Sequence, residues 1–212
     1  GNVEPEKART WEVGPRYDDG ALTAEMGLFL INFNNQYDSN QTNDTVTARG
    51  KTRHSGLEAQ TRYALGELSP ALDNLSVYAS YAYVNAEIRE KGDTYGNQVP
   101  FSPKHKGTLG VDYSPGSWTF NLNGDFQSSQ FADNANTVAE SADGSTGRIP
   151  GYMLWGARVA YDFGPQMANL NLALGVKNIF DHAYYTRSYD DNNKGLYVGQ
   201  PRTLYLQGSM KF

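Results

Sequence analysis

The sequence predicts an all-β protein, an antiparallel up-and-down meander of about nine long strands. Three observations predict it. Apolar and polar residues alternate with period two along most of the chain, most cleanly where Trp118, Phe120, Leu122 and Phe126 interleave with Thr119, Asn121, Asn123 and Asp125. The composition, with 15 Tyr and 22 Gly, suits strands and turns better than helices. The connections between the strands alternate between short and long.

The first strand covers about 8–18, with Trp11, Val13 and Tyr17 opposed to Glu12, Gly14 and Arg16; Pro15 lacks a donor and belongs at an edge or a bulge. Asp18-Asp19-Gly20 is a tight turn. The second strand, about 21–37, aligns Leu22, Ala24, Met26, Leu28 and Leu30 on one face, while Phe29, Ile31 and Phe33 interrupt the polar one. The third, about 52–65, sets Leu57, Ala59 and Tyr63 against Glu58, Gln60 and Arg62. The fourth, about 74–89, sets Leu75, Val77, Tyr81 and Tyr83 against Ser76 and Ser80. The fifth and sixth cover about 104–113 and 117–130. The seventh, about 150–163, aligns Met153, Trp155, Val159, Tyr161 and Phe163. The eighth, about 168–186, aligns Leu170, Leu172, Leu174 and Val176 against Asn169, Asn171 and Lys177. The ninth ends the chain, with Leu204, Leu206, Gly208, Met210 and Phe212 on one face and Thr203, Tyr205, Gln207, Ser209 and Lys211 on the other.

The links near 18–21, 65–74, 114–117 and 164–168 are short or moderate, whereas those near 38–51, 90–103, 131–149 and 187–199 are long and polar. In a meander this places every long loop at one end, the asymmetry of an outer-membrane barrel. Tyr63, Tyr113, Tyr161 and Phe163 lie beside the short turns, where an interfacial aromatic girdle belongs. Two alternatives share much of this pattern: a small self-contained barrel serving as a pore or adhesin, and a soluble β-domain that binds ligands through its loops. Nine is an odd count, and bacterial single-chain barrels have an even one. That count and the opening Gly-Asn-Val lead us to expect a piece of something larger.

Other classes are excluded by inventory. Apolar runs such as Gly27 to Ile31 are far shorter than the roughly 20 residues of a spanning helix. Net charge is −5 without a basic block, so nucleic acid has no electrostatic footprint. Cysteine is absent, which removes disulfides, Cys-based metal sites and thiol nucleophiles. The three histidines, His54, His105 and His182, lack metal-ligand spacing. The adjacent pairs His54-Ser55 and Asp181-His182 would point to opposite faces of a strand, so neither is a preassembled dyad. No catalytic or metal site is expected. In the first long link Asn40, Gln41, Thr42, Asn43 and Arg49, with Lys51 and Arg53 at its base, offer amide and guanidinium donors for carboxylates; each could equally serve only to face water.

The stretch VEPEKARTWEVGPRYDDGALTAEMGLFLINF resembles the barrel repeat of TonB-dependent outer-membrane receptors. GVKNIFDHAYYTRSYDD followed by GLYVGQPRTLYLQGSMKF resembles that family's C-terminal signature: Asn-x-Phe-Asp with nearby Tyr, Gly-x-Pro-Arg, and a terminal aromatic. LINFNNQYDSNQTNDTVTARGKTRHSGLEAQ and YDDNNKG are similar to the branch of the family that takes up ferric citrate. The resemblance implies a 22-stranded transmembrane barrel enclosing a plug, of which residues 1–212 would be a partial barrel domain lacking the plug and earlier strands. It implies energy-coupled uptake of an iron chelate across the bacterial outer membrane, with ferric dicitrate as cargo and no resident cofactor. The implied partners are outer-membrane lipid, the TonB complex through the missing N-terminal part, and the barrel-assembly machinery through the C-terminal strand. A glutamine of this loop contacts ligand in the ferric-citrate branch, and its position falls on Gln41; Asn40, Thr42, Asn43 and Arg49 are the neighbouring candidates. Phe212, with Met210 and Gly208, resembles the family's assembly signal.

Overall fold

A computed structural model describes the backbone of residues 5–40, 45–187 and 195–210, and their side chains outside 35–40 and 45–49. The elements in order are β1 (Lys7–Val13), β2 (Arg16–Asp18), β3 (Leu22–Asn40), β4 (Thr45–Ala64), β5 (Leu75–Ile88), β6 (His105–Tyr113), β7 (Trp118–Gln127), β8 (Tyr152–Asp162), β9 (Asn171–Lys177), β10 (Tyr185–Arg187), β11 (Leu196–Val198) and β12 (Thr203–Ser209). One antiparallel sheet runs in the order β1-β3-β4-β5-β6-β7-β8-β9-β12, with β2 also on β3, while β10 and β11 form a separate hairpin.

β1 and β2 together are the predicted first strand. Gly14 and Pro15 interrupt it without changing register, since Val13 pairs with Leu28 and Arg16 with Glu25. A Cβ on Gly14 would lie 2.2 Å from the Met26 carbonyl oxygen, so only glycine lets the chain approach β3 there. With these two counted as one, nine long strands form the meander, as the alternation predicts.

Three boundaries differ from the sequence reading. β3 and β4 pair out to Asn40 and Thr45, so the link placed at 38–51 is largely a protruding hairpin. Polarity marks where a strand leaves lipid; it does not end a ladder made of backbone bonds, and Thr45, Val46 and Thr47 are β-branched. The predicted strand at 168–186 stops at Lys177, because Asn178 and Asp181 take left-handed conformations, with φ of 51° and 52°. The buried Asn178 amide donates to the carbonyls of His182 and Gln200 and fixes that corner. The predicted sixth strand ends at Gln127 rather than near 130.

Register turns the alternation of single strands into faces of the sheet. Leu22, Tyr63, Val77, Val111, Leu122, Ala157, Val176 and Leu204 form one continuous apolar row across eight strands. Trp118 packs against Phe120 and Tyr161 at 5.9 and 4.8 Å between ring centroids, Tyr113 against Phe120 at 6.1 Å, and Tyr161 against Phe163 at 4.8 Å. This is the aromatic girdle beside the short turns. A second group of rings, Tyr81, Tyr83 and His105, lies toward the long loops, and the Tyr81 hydroxyl meets His105 Nδ1 at 2.7 Å. From Leu75 beside Tyr113 to Tyr83 beside His105 the strand rises about 27 Å. Tilted by about 40°, that length spans about 21 Å along the barrel axis, most of the roughly 25 Å apolar band of an outer-membrane barrel. Beyond it the same face turns polar, with Arg9, Asn32, Arg53 and Glu87 in register and Arg53 Nε donating to Asn32 Oδ1 at 3.0 Å.

The opposite face carries Glu25, Gln60, Ser80, Thr108 and Asp125 in one row. Phe29, Ile31 and Phe33 belong to it, in register with Val84, Ala86 and Ile88 through Gly56, His54 and Thr52. Residues 97–99, from the loop after β5, pair along the edge of β5, and Val99 donates its backbone N–H to the Ala86 carbonyl. Val99, Ala86 and Ile88 form a buried cluster against which Val84 packs. At the first short turn, Asp19 accepts from the backbone N–H groups of Leu22 and Ala21, which with the Tyr17 hydroxyl lower its carboxyl pKa below 3.8.

Candidate functional site

The polar face is where the chain can hold hydrophilic solutes. A recess of about 670 Å³ opens on it, lined by Glu25, Gln60, Glu58, Ser80, Thr108 and Lys106 among others. Most charges on this wall are cross-linked. Arg16 Nε contacts Glu25 Oε1 at 3.1 Å, and Glu25 accepts from Gln60 at 2.6 Å. Arg62 donates to Asp112 at 2.8 Å and Ser76 at 2.9 Å, and its guanidinium lies 4.8 Å from the centre of the Tyr78 ring. Asn121 donates to Asp112 at 2.7 Å and to the Tyr78 hydroxyl at 2.9 Å. A Cβ on Gly110 would lie 2.2 Å from that ring, so the absence of a side chain there lets Tyr78 lie across β6. Thr108 and Asn123 donate to the two oxygens of Asp125.

The long loops bond to one another above the sheet. Asn136 spans two of them, its side chain accepting from the Gln98 N–H and donating to the Gln98 carbonyl. Arg187, on β10, is only 1 % exposed. Its Nε donates to the Gly147 carbonyl at 3.1 Å, and its terminal nitrogen donates to the Gly144 carbonyl at 2.8 Å and approaches Glu140 at 3.5 Å. It thereby ties the 138–149 loop to the β10–β11 hairpin. No single-strand pattern announces either contact; the signal available in the sequence was only a polar, glycine-rich loop.

Of the residues singled out from sequence, Asn40 and Arg49 fall on strands β3 and β4 rather than in a loop. The physical reason is the extension of that hairpin's ladder, and their side chains lie outside the described set. Gln41, Thr42 and Asn43 lie outside the described residues, as does Phe212. Gly208 pairs with Leu172 on β12, and Met210 follows it, half exposed. His54, His105 and His182 are spread over separate strands and a turn, and no group of three metal-ligating side chains occurs among the described residues.

The sequence matches the TonB dependent receptor-like, β-barrel family over residues 1–179. It is 27 % identical over 214 residues to the metal-pseudopaline receptor CntO of Pseudomonas aeruginosa, covering 99 % of this chain and 28 % of the relative. It is 26 % identical over 222 residues to the ferrichrome outer membrane transporter/phage receptor of Escherichia coli, covering 100 % of this chain and 27 % of that protein. The crystal structure of the ferric citrate transporter FecA in its unliganded form superimposes with a TM-score of 0.92 at 87 % identity, over 100 % of this chain and 32 % of that one. The chain thus spans about a third of the length of the proteins it matches.

Proposed function

The chain belongs to the family of TonB-dependent receptor-like β-barrels, and from that premise we propose that it is the C-terminal barrel part of an outer-membrane receptor that takes up ferric citrate. The observation that carries this reading is the 87 % identity to the ferric citrate transporter along the whole chain. The fold supports it: an apolar band bounded by two groups of aromatic rings suits lipid, and a polar wall suits a lumen. The receptor works by transport, not catalysis, and the energy-coupling partner is TonB, engaged by a part of the receptor outside these residues. Both edges of the sheet, β1 and β12, present exposed apolar side chains, with Trp11 67 %, Val13 69 %, Leu204 73 % and Leu206 76 % exposed. Such edges suit pairing with further strands of a larger barrel.

Within this chain Gln41 is the ligand contact, with Asn40, Thr42, Asn43 and Arg49 around it. The amide supplies a neutral donor to a citrate oxygen. The test uses the full-length receptor in cells. It should import radiolabelled ferric citrate only when TonB is present, and Gln41→Ala should weaken binding by about 3- to 10-fold. Import independent of TonB, or no binding of ferric citrate by the unsubstituted receptor, overturns the reading.

The terminal strand serves assembly. Gly208 lies on the face of β12 that carries Leu204 and Leu206, and the aromatic residue that ends the sequence, Phe212, suits recognition by the barrel-assembly machinery. Deleting Phe212 from the full receptor should lower its outer-membrane yield while leaving the affinity of the assembled fraction unchanged. Undiminished yield would refute the assignment.

A further inference from the structure

On the polar wall, Arg158 of β8 lies directly opposite Gly175 of β9. Lys177, two residues along β9 from Gly175, lies on the same face, opposite Thr203 of β12. The two cations thus stand diagonally across adjacent strands, about 7–8 Å apart at the backbone. Tyr205 of β12 fills the space over Gly175, where a Cβ would lie 2.2 Å from the ring and 2.3 Å from its hydroxyl. The Lys177 ammonium stands 5.7 Å from the centre of that ring. These groups line a recess of about 360 Å³, together with Asn121, Asn123 and Asp125.

The arrangement repeats the one at Tyr78, where a tyrosine likewise lies over the glycine opposite it with a basic group beside the ring. At Tyr78 the construction is complete: Arg62 has Asp112, and the hydroxyl has Asn121. At Tyr205 no carboxylate is paired with the cations. Among the described residues, neither Arg158 nor Lys177 has a hydrogen-bonded or ionic partner, and the Tyr205 hydroxyl has none either. Asp125 lines the same recess and accepts one bond at each oxygen, from Thr108 and Asn123, but makes no ion pair with Arg158 or Lys177. Asn121, opposite Arg158, spends its amide hydrogens on Tyr78 and Asp112. The recess thus holds two cations and one carboxylate, and neither cation is paired with it.

We propose that Arg158 and Lys177, with the Tyr205 hydroxyl, form a carboxylate-binding site on the polar wall of the barrel. The guanidinium supplies a forked pair of donors, the ammonium a point charge, and the phenol a third hydrogen bond. The inference rests on the reading of this face as a lumen. The carboxylate has two possible sources. One is a citrate arm of the chelate moving along the wall; the other is an acidic side chain from the part of the receptor outside this chain.

The test uses the full-length receptor with Arg158→Gln, Lys177→Gln, the two combined, and the charge-retaining Arg158→Lys. Two quantities are read: import of radiolabelled ferric citrate at saturating concentration, and the thermal unfolding of the purified, ligand-free receptor. The combined variant should slow import by about 3- to 10-fold or lower the unfolding temperature by several degrees, with Arg158→Lys, which keeps the charge and loses the fork, showing a smaller loss than Arg158→Gln. Slower import with unchanged unfolding assigns the carboxylate to the chelate. A lower unfolding temperature without ligand assigns it to the receptor itself. Lys177→Gln, at an exposed position, gives the same direction with half the effect if the combined variant does not assemble. Unchanged import and unfolding in the glutamine variants, or equal losses in Arg158→Lys, overturn the site. Failure of the unsubstituted receptor to import ferric citrate would instead overturn the transport reading and leave the unfolding measurement to decide the site.

Discussion

At the scale of the residue, the informative side chains are those whose partners lie far away in sequence. Arg187 sits in a stretch that reads as loop, yet it is among the most buried side chains and holds two carbonyls more than forty residues upstream or nearly so. Its three contacts tie the 138–149 loop to β10. Replacing it with alanine should leave buried carbonyls unpaired and loosen that loop by about 2–3 kcal/mol. Amide hydrogen exchange checks this: protection of the Ser141 and Arg148 N–H groups, which bond to Thr146 and Val138, should fall about 30- to 100-fold while that of β7 and β8 stays unchanged. The same residue also shows why part of the site was illegible. A buried arginine and an exposed one are the same letter, and only the fold brings Gly144 and Gly147 to it. Gln41 lies at the other extreme: its candidacy came from a resemblance, and nothing in the local pattern separates it from Asn40 or Asn43.

At the scale of the element, strands were legible where lipid imposes alternation and illegible where it does not. Within the apolar band each outward residue must be apolar, so β7 and β9 could be read from Trp118, Phe120 and Leu122 or from Leu172 and Leu174. Above the band, water satisfies either face, and β3 and β4 continue without any pattern to follow. Pro15 shows a local rule holding, since it falls at the break between β1 and β2 on an edge of the sheet. Leu122 lies midway along the outward residues of β7, in the middle of the continuous apolar row. In the full receptor, Leu122→Arg should destabilise the barrel by about 2–4 kcal/mol, whereas an arginine at polar-facing Asn123 should cost far less. Equilibrium unfolding in denaturant distinguishes the two, and equal costs would contradict the assignment of faces.

At the scale of the whole molecule, the open sheet is the dominant fact. Two edge strands with greasy outer faces cannot both be left unpaired in lipid, where each unsatisfied backbone group costs several kcal/mol. The 212 residues alone should therefore fail to form a heat-resistant barrel in detergent. They should also show no sub-micromolar binding of ferric citrate, because the remaining wall and its donors lie elsewhere in the receptor. Titration calorimetry with the isolated chain checks the second expectation, and its migration on unheated gels checks the first.

By itself the sequence determined the strand class, the number of long strands, which residues share a face, and which end carries the long loops. Each of these follows from the two-residue period of a strand and from the demand of lipid for apolar side chains. It also determined the family, through motifs that extend along nearly all of the chain. Only the tertiary structure decided which rows the faces form, since strand register depends on pairing between segments. It alone decided that residues 97–99 pair along the edge of β5, that Arg187 joins two loops, and that Arg158 and Lys177 stand together with no carboxylate paired to either. Those features depend on contacts between residues distant in the chain, and such contacts leave no period in the sequence.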